Sequence, residues 1–165
     1  MIALRIRPYS ESDLAAIADI HAQAFTRQRH SKEWIACNAR AYPRIRVYVA
    51  ELEGEVRGYV FWTEKSGFRE DVVLELEQIA VAAAYRKRGI GEALVVQSLP
   101  QVVKQLRARS ATIRAVVVST RADNDAQRLY RKTLGAEIEA RLQSLYSADE
   151  VLMVARNPLR TSQPS

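Results

Sequence analysis

Gln78-Ile79-Ala80-Val81-Ala82-Ala83-Ala84-Tyr85-Arg86-Lys87-Arg88-Gly89-Ile90-Gly91-Glu92-Ala93-Leu94 decides how this chain is read. An apolar, strand-like run enters a short basic turn with two glycines, and an apolar helical pattern follows at once. Glycine lets a backbone approach a ligand closely and take φ values that other residues avoid. A helix starting there leaves its first four N–H groups without partners inside it. Those donors, the positive end of the helix dipole and the side chains of Arg86, Lys87 and Arg88 converge on one spot, which in physical terms is a phosphate site. A plain glycine turn capped by surface charge has the same composition. The strand before it and the helix after it are the context a phosphate loop requires. No Gly-Lys-Ser/Thr follows, so this is not a P-loop, and the third glycine of the dinucleotide fingerprint is missing.

At 165 residues the chain is expected to form a single domain over 1–157, with 158–165 as a disordered tail holding two prolines and small polar residues. Its 48% apolar and 27% charged content is that of an ordinary globular protein. No apolar run approaches the ~20 residues of a membrane span, and the amino terminus is too short and too charged for a signal peptide. The single cysteine, Cys37, excludes an intrachain disulfide and fits a reducing, cytoplasmic setting. On its expected helix it reads as a small packing residue. One cysteine with only His21 and His30 makes a metal site unexpected. The net charge of +6 favours anionic partners. Nucleic acid is a poor fit, because no aromatic residues interleave with the basic ones as a stacking platform needs.

The rest of the chain falls into place around the loop. Leu4–Arg7 alternates as a first strand, ended by Pro8. Ser10 offers a cap for a helix over 11–25, with Leu14, Ile17, Ile20, His21 and Phe25 at helical spacing. His21 on that stripe reads as a packed histidine. The basic stretch 26–31 follows, a candidate wall of a substrate cleft, and Ser31 is expected to cap a second helix. Two β-rich runs, Val47–Leu52 and Val56–Trp62, flank Glu53-Gly54-Glu55, a hairpin signal. A fourth strand covers 72–81. The helix after the glycine loop carries Pro100, which predicts a kink or a break. A buried fifth strand over 112–119 leads to the capping cluster Asp123-Asn124-Asp125 and a helix ended by Gly135 as a left-handed cap. Two strands close the chain, at about 137–145 and 150–156. The order βααβββαβαββ is that of an α/β (α+β) fold with a mixed, largely antiparallel sheet of about seven strands. The crossover through the glycine loop makes strands four and five parallel.

This order and these residues resemble the GNAT superfamily of N-acetyltransferases over nearly the whole chain. Val81 through Gly91 matches the family's acetyl-CoA loop, Gln/Arg-x-x-Gly-x-Gly/Ala. Asn124-Asp125-Ala126-Gln127-Arg128-Leu129-Tyr130 through Leu134-Gly135-Ala136 resembles its Asn…Ala…Leu-Tyr…Leu-Gly-Phe helix. Two positions depart from the pattern: Asp123 holds the usual Asn position, with Asn124 one residue late, and Ala136 replaces an aromatic. Leu145-Tyr146 before 147–153 is similar, over a short match, to the closing hairpin of ribosomal-protein N-terminal acetyltransferases.

The resemblance implies acetyl-CoA as co-substrate and a primary amine as acceptor, either a protein N-terminus or lysine or a small amine. It implies that the cofactor lies against Ile79, Ala80 and Val81, and against Arg86, Lys87, Arg88, Gly89, Ile90, Gly91 and Glu92, with Asn124 and Tyr130 adding contacts. In the family, strand four carries a bulge and diverges from strand five, and the pantetheine arm pairs there as an extra strand would. Tyr130 matches the family's general acid, and the Val81 N–H polarises the thioester. Strand alternation puts Glu75, Glu77, Ile79 and Val81 on one face, so either glutamate is a candidate base. A non-catalytic acyl-CoA sensor is the alternative. Exposed edges of the last strands make a homodimer a further expectation.

Overall fold

The structure, a computed structural model, describes residues 3–159; the part of the expected tail from 160 on lies outside them. Four strands come early or centrally: β1 (Arg5–Pro8), β2 (Ile45–Leu52), β3 (Glu55–Lys65) and β4 (Asp71–Val81). Three follow: β5 (Thr112–Arg121), β6 (Glu137–Leu142) and β7 (Glu150–Ala155). The helices are α1 (Leu14–Ala24), α2 (Ser31–Ala39), α3 (Ile90–Arg107) and α4 (Ala126–Leu134), which gives the expected order βααβββαβαββ. One seven-stranded sheet runs β1-β2-β3-β4-β5-β7-β6. The β4–β5 pair is parallel, as the crossover through the glycine loop demands, and β1–β2, β2–β3, β5–β7 and β6–β7 are antiparallel.

The chain forms two compact units, one made of the residues up to Thr63 with Gln78–Val102, the other of Glu64–Glu77 with Val103 onward. In the first, Ile17, Ile20, Ile35, Val47, Val49, Tyr59 and Phe61 make the core. β2 is buried on both faces from Ile45 to Ala50, so its apolar run is nearly continuous. Before α1, a short 3-10 turn (Glu11–Asp13) replaces the first helical turn expected at residue 11. Arg7 explains the change: it grips the buried Asp13 carboxylate at 2.7 and 3.0 Å and Glu51 at 2.7 Å, pinning that turn to β1 and β2. The guanidinium holds the Asp13 carboxyl below the usual carboxylate range.

His21 is packed, as its place on the α1 stripe requires, and it is fully buried. Its Nε2–H donates to Gln28 Oε1 at 2.9 Å, so Nδ1 of the neutral ring accepts from the Ser31 hydroxyl at 2.8 Å. Ser31 is therefore not the α2 cap. That place falls to His30, at a left-handed φ of 56°, and Ser31 spends its hydroxyl on His21. Burial lowers the His21 pKa. The unfolded chain takes up this proton below about 6.5 while the folded chain resists it, so the contribution of His21 is complete above that value and is lost as pH falls through and beneath it. The melting temperature is expected to fall between pH 7 and 5, and His21→Gln should flatten that slope in thermal melts across the range.

α3 stays continuous through Pro100, and the expected break is absent. Pro100 and Val96 both lie on the exposed side, so water can take the carbonyl that proline leaves without its bond. β3 is tied to this helix by Trp62 Nε1–H, which donates to Ser98 Oγ at 2.7 Å inside the core. At Gly58 an added Cβ would stand 3.0 Å from the Ala80 carbonyl and 3.2 Å from Leu94, so a side chain there would make β4 and the start of α3 give by a few tenths of an ångström.

In the second unit Leu74, Leu76, Leu106, Val116, Val118, Leu134 and Met153 are buried. Glu64, almost wholly buried, is held by Arg109, whose guanidinium lies 4.8 Å from the Phe68 ring centroid. Gly135 ends α4 in the left-handed region, as read from the sequence. β6 stops at Leu142 rather than near 145, because Asp149 accepts from Arg141 Nε at 2.9 Å and from the Ser144 N–H at 3.0 Å and closes the loop there. Cys37 is exposed, not packed: Ile35, Asn38 and Ala39 take the buried face of α2.

Candidate active site

The phosphate-type loop is built as its residues dictate. After Val81, the Ala82 N–H donates to the Arg57 carbonyl at 2.8 Å and Ala83–Tyr85 makes a 3-10 turn. Lys87 (φ 60°) and Gly89 (φ 78°) are both left-handed, the kind of turn from which anion-binding backbone concavities are built. An added Cβ at Gly89 would meet nothing within 4 Å, so glycine is required there by φ, not by space. The first helical bond of α3 runs from the Ala93 N–H to the Gly89 carbonyl at 3.0 Å. The N–H groups of Ile90, Gly91 and Glu92 precede it and have no carbonyl within the helix to bond. They are the donors that the sequence pointed to.

Three arginines converge on this loop. Arg86 donates from Nε to the Val81 carbonyl at 3.1 Å, which leaves its outer nitrogens facing outward. Arg57 and Arg88 stack on the Tyr85 ring at 4.3 and 5.1 Å from its centroid. Arg57 also pairs with Glu55, and its buried Nε has no hydrogen-bond partner among the described residues. Sequence reasoning passed over Arg57 and Gly58. The signal available was an isolated glycine inside a strand pattern, which marks a close backbone approach.

β4 alternates as expected: Leu74, Leu76, Gln78 and Ala80 are buried, while Glu75, Glu77, Ile79 and Val81 are half-buried on the other face. The parallel ladder runs from Asp71↔Thr112 to Glu75↔Val117, with its register shift between Val72 and Val73. Glu75 is paired with Lys65 Nζ at 2.9 Å, a partner no local pattern marks. On the buried face, Gln78 Oε1 accepts from the Tyr59 hydroxyl and from Trp34 Nε1–H, both at 3.3 Å, so α2 and β3 are fastened to β4 beside Ile79.

Tyr130 is 5% exposed, and its hydroxyl has no hydrogen-bond partner among the described residues. Burial pushes its pKa up to about 12. Asn124 shapes the entry to α4: its Oδ1 accepts from the Ala126 N–H at 2.9 Å and its Nδ2 donates to Thr120 Oγ1 at 2.9 Å. Each end of that amide keeps one further bonding position. Asp123 is taken by Arg121 in a two-pronged pair at 2.8 and 2.9 Å. The predicted residues thus fall in two sets. Ile79 to Glu92 lie in the first unit, and Glu75, Glu77, Asn124 and Tyr130 lie in the second.

A left-handed basic turn running into a helix start, with arginines beside it and an apolar strand before it, suits a diphosphate-bearing cofactor. The sequence pattern of the Acetyltransferase (GNAT) family matches residues 14–136. The chain belongs to the GNAT acetyltransferase family. Solved GNAT-type structures resemble it over most of its length. Ard1 from Thermoplasma volcanium is 26% identical, with a TM-score of 0.71 over 92% of this chain and 96% of that one. Arabidopsis thaliana NAA60 in complex with acetyl-CoA is 25% identical, with a TM-score of 0.72 over 92% and 97%. The ribosomal-protein-alanine N-acetyltransferase from Brucella melitensis is 26% identical, with a TM-score of 0.68 over 92% and 98%. Comparison with curated proteins gave no match. Among the described residues of this GNAT protein, no group of three or more His, Cys, Asp or Glu could hold a metal ion. No helix among them is long and apolar enough to cross a membrane.

Proposed function

We propose that this GNAT protein transfers the acetyl group of acetyl-CoA to a primary amine by direct attack, within one acetyltransferase domain over 1–157. The observation that carries the reading is the loop from Arg86 to Glu92, where the start of α3 follows directly on the left-handed turn at Lys87 and Gly89 and on the side chains of Arg86, Lys87 and Arg88. A pyrophosphate fits such a cradle, through charge-assisted hydrogen bonds and the helix dipole. The backbone of Ile79, Ala80 and Val81 receives the pantetheine arm as an added strand would be received. Asn124, with its spare bonding positions, contributes beside α4.

Acetyl-CoA supplies an activated acyl group; the protein supplies orientation and proton management. The amine nitrogen bonds to the carbonyl carbon as the carbon–sulfur bond breaks. The Val81 N–H stabilises charge on the carbonyl oxygen. Glu77 or Glu75 takes the proton from the amine, directly or through a water. Glu75 already holds Lys65, so taking that role means sharing its carboxylate between two partners. Tyr130 is assigned as general acid to the departing sulfur, the role its motif position suggests. With its pKa near 12 it keeps its proton throughout the working range. Full transfer to a thiolate of ordinary pKa near 8.5 runs uphill by on the order of 5 kcal/mol. Tyr130 therefore acts chiefly by donating a strong hydrogen bond as the sulfur charge develops, and solvent completes the protonation.

Acetyl-CoA at about a hundred times its Kd is expected to stabilise the fold by about 2.7 kcal/mol in thermal melts. Free thiol should then appear with some members of an amine panel. Stabilisation without thiol release from any amine would point instead to an acyl-CoA sensor, and no stabilisation would remove the reading. One of Glu75→Gln and Glu77→Gln should alter the acidic limb of the pH–rate profile. Two unchanged profiles would exclude both as the base.

A further inference from the structure

Several cations of this chain are already neutralised: Arg7, Arg40, Arg109, Arg121 and Arg156 each hold a carboxylate. The connection from α1 to α2 is different. Arg27, Arg29 and Lys32 are exposed, and among the described residues none of them holds a carboxylate. The only acid in the stretch 26–36 is Glu33, on the first turn of α2. Unspent positive charge here is not a solvated fringe on a loose loop, because the connection is fastened at several points. The buried His21 ring bonds both Gln28 and Ser31, at 2.9 and 2.8 Å, and the Gln28 N–H donates to the Phe25 carbonyl at 2.9 Å. His30 accepts the left-handed φ of 56° so that its carbonyl can take the Trp34 N–H at 2.9 Å. Trp34 then reaches β4 through its indole N–H, at Gln78, the residue next to Ile79. These cations thus stand on a fastened connection, Arg27 and Arg29 just before α2 and Lys32 on its first turn, and α2 touches β4 through Trp34 beside the segment assigned to the acyl-bearing arm.

Fixed, unneutralised charge near a reacting centre sorts substrates by sign, attracting one class and repelling the other. We infer that Arg27, Arg29 and Lys32 select an acceptor whose primary amine is followed within a few residues by carboxylates, that is, an acidic peptide. Guanidinium groups suit this task, since they take carboxylates in two-pronged pairs. Polyamines and basic peptides carry the sign that this row repels. The inference rests on the acetyltransferase reading above, and it concerns the acceptor, on which the phosphate-type loop has no bearing.

The test uses the full chain, acetyl-CoA and free-thiol detection. One pair of peptides has a free amino-terminal alanine followed by two aspartates or by two lysines. A second pair has a blocked amino terminus and one internal lysine flanked by aspartates or by arginines. The wild type is expected to favour an acidic member by about tenfold or more in kcat/KM at low salt, carried by KM, on the scale of two or three exposed ion pairs. That preference should shrink at about 0.5 M salt, where exposed charges are screened. The surface double variant R27E/R29E, whose folding is checked by its melt with acetyl-CoA, should lose or invert the preference. The peptide pair that responds identifies whether a terminus or a lysine supplies the amine. Thiol release at equal rates for acidic and basic peptides, release only with small amines, or a preference unchanged in R27E/R29E would each overturn the inference and leave the acetyltransferase reading standing. Absence of release with every amine defeats that reading, and the inference with it.

Discussion

Tyr130→Phe is expected to lower kcat for acetyl transfer by about a hundredfold or more, the usual scale for losing a positioned acid. The KM for acetyl-CoA should move little. The substitution removes one oxygen and keeps the ring that fills the space around α4. Tyr130 is 5% exposed and its hydroxyl has no hydrogen-bond partner among the described residues, so deleting the oxygen leaves no protein group orphaned. Thermal stability should therefore be unchanged, which separates a chemical defect from a folding defect in one pair of measurements. The pH profile gives a second check. Burial holds the wild-type phenol up to about 12, so its loss should lower the rate evenly from pH 6 to 9 rather than remove a limb of the profile. A Phe variant with wild-type kcat would make Tyr130 a packing residue.

Val81→Pro is the second large effect. It deletes the N–H assigned to the thioester oxygen, and kcat is expected to fall by roughly a hundred- to a thousandfold, as when one oxyanion donor is lost. Val81→Ala keeps the N–H and should cost less than about threefold, since only a half-buried side chain is trimmed. The site tolerates the test structurally. Val81 is the last residue of β4, and Ala80 before it is already extended, as a residue preceding proline must be. The Val81 carbonyl that receives Arg86 Nε and the Ala82 N–H that donates to Arg57 both survive the change. Equal losses in the two variants would mean that the side chain, not the backbone donor, matters at this position.

Much of this architecture was legible because local chemistry decided it. Strand periodicity, the hairpin at Glu53-Gly54 and the glycine-bearing start of α3 are set by residues a few positions apart, and the order of elements along the chain follows from them; the placing of β7 between β5 and β6 does not. What stayed hidden was decided across the chain. Lys65 meets Glu75 because β3 and β4 neighbour each other in the sheet, and nothing near Glu75 announces it. Ser31 looked like a helix cap because serines often are; a histidine ten residues earlier took its hydroxyl instead. Pro100 read as a kink or a break because the sequence does not say which carbonyl it strands, and on the wet side the helix continues through it. Cys37 was misplaced by helix phase, one position short of the buried Asn38. For the candidate site, the glycine loop and Tyr130 were proposed through motifs. Arg57, whose guanidinium lies on the Tyr85 ring, was not, because stacking leaves no spacing rule in the chain.

Gly58 has a practical consequence for anyone randomising this protein. Gly54 and Gly67 resist replacement through φ alone, at 78° and 88°, with open space where a side chain would go, so asparagine and aspartate should survive there in a selection for folded chains. Position 58 should be limited by space instead, since even a Cβ there requires its neighbours to give by a few tenths of an ångström. Its neighbour at 3.0 Å is the carbonyl of Ala80, a backbone atom that cannot rotate aside, in the segment assigned to the acyl arm. In a mutational scan, substitutions there are expected to act on activity through the backbone of β4, although glycine has no side chain with which to do chemistry.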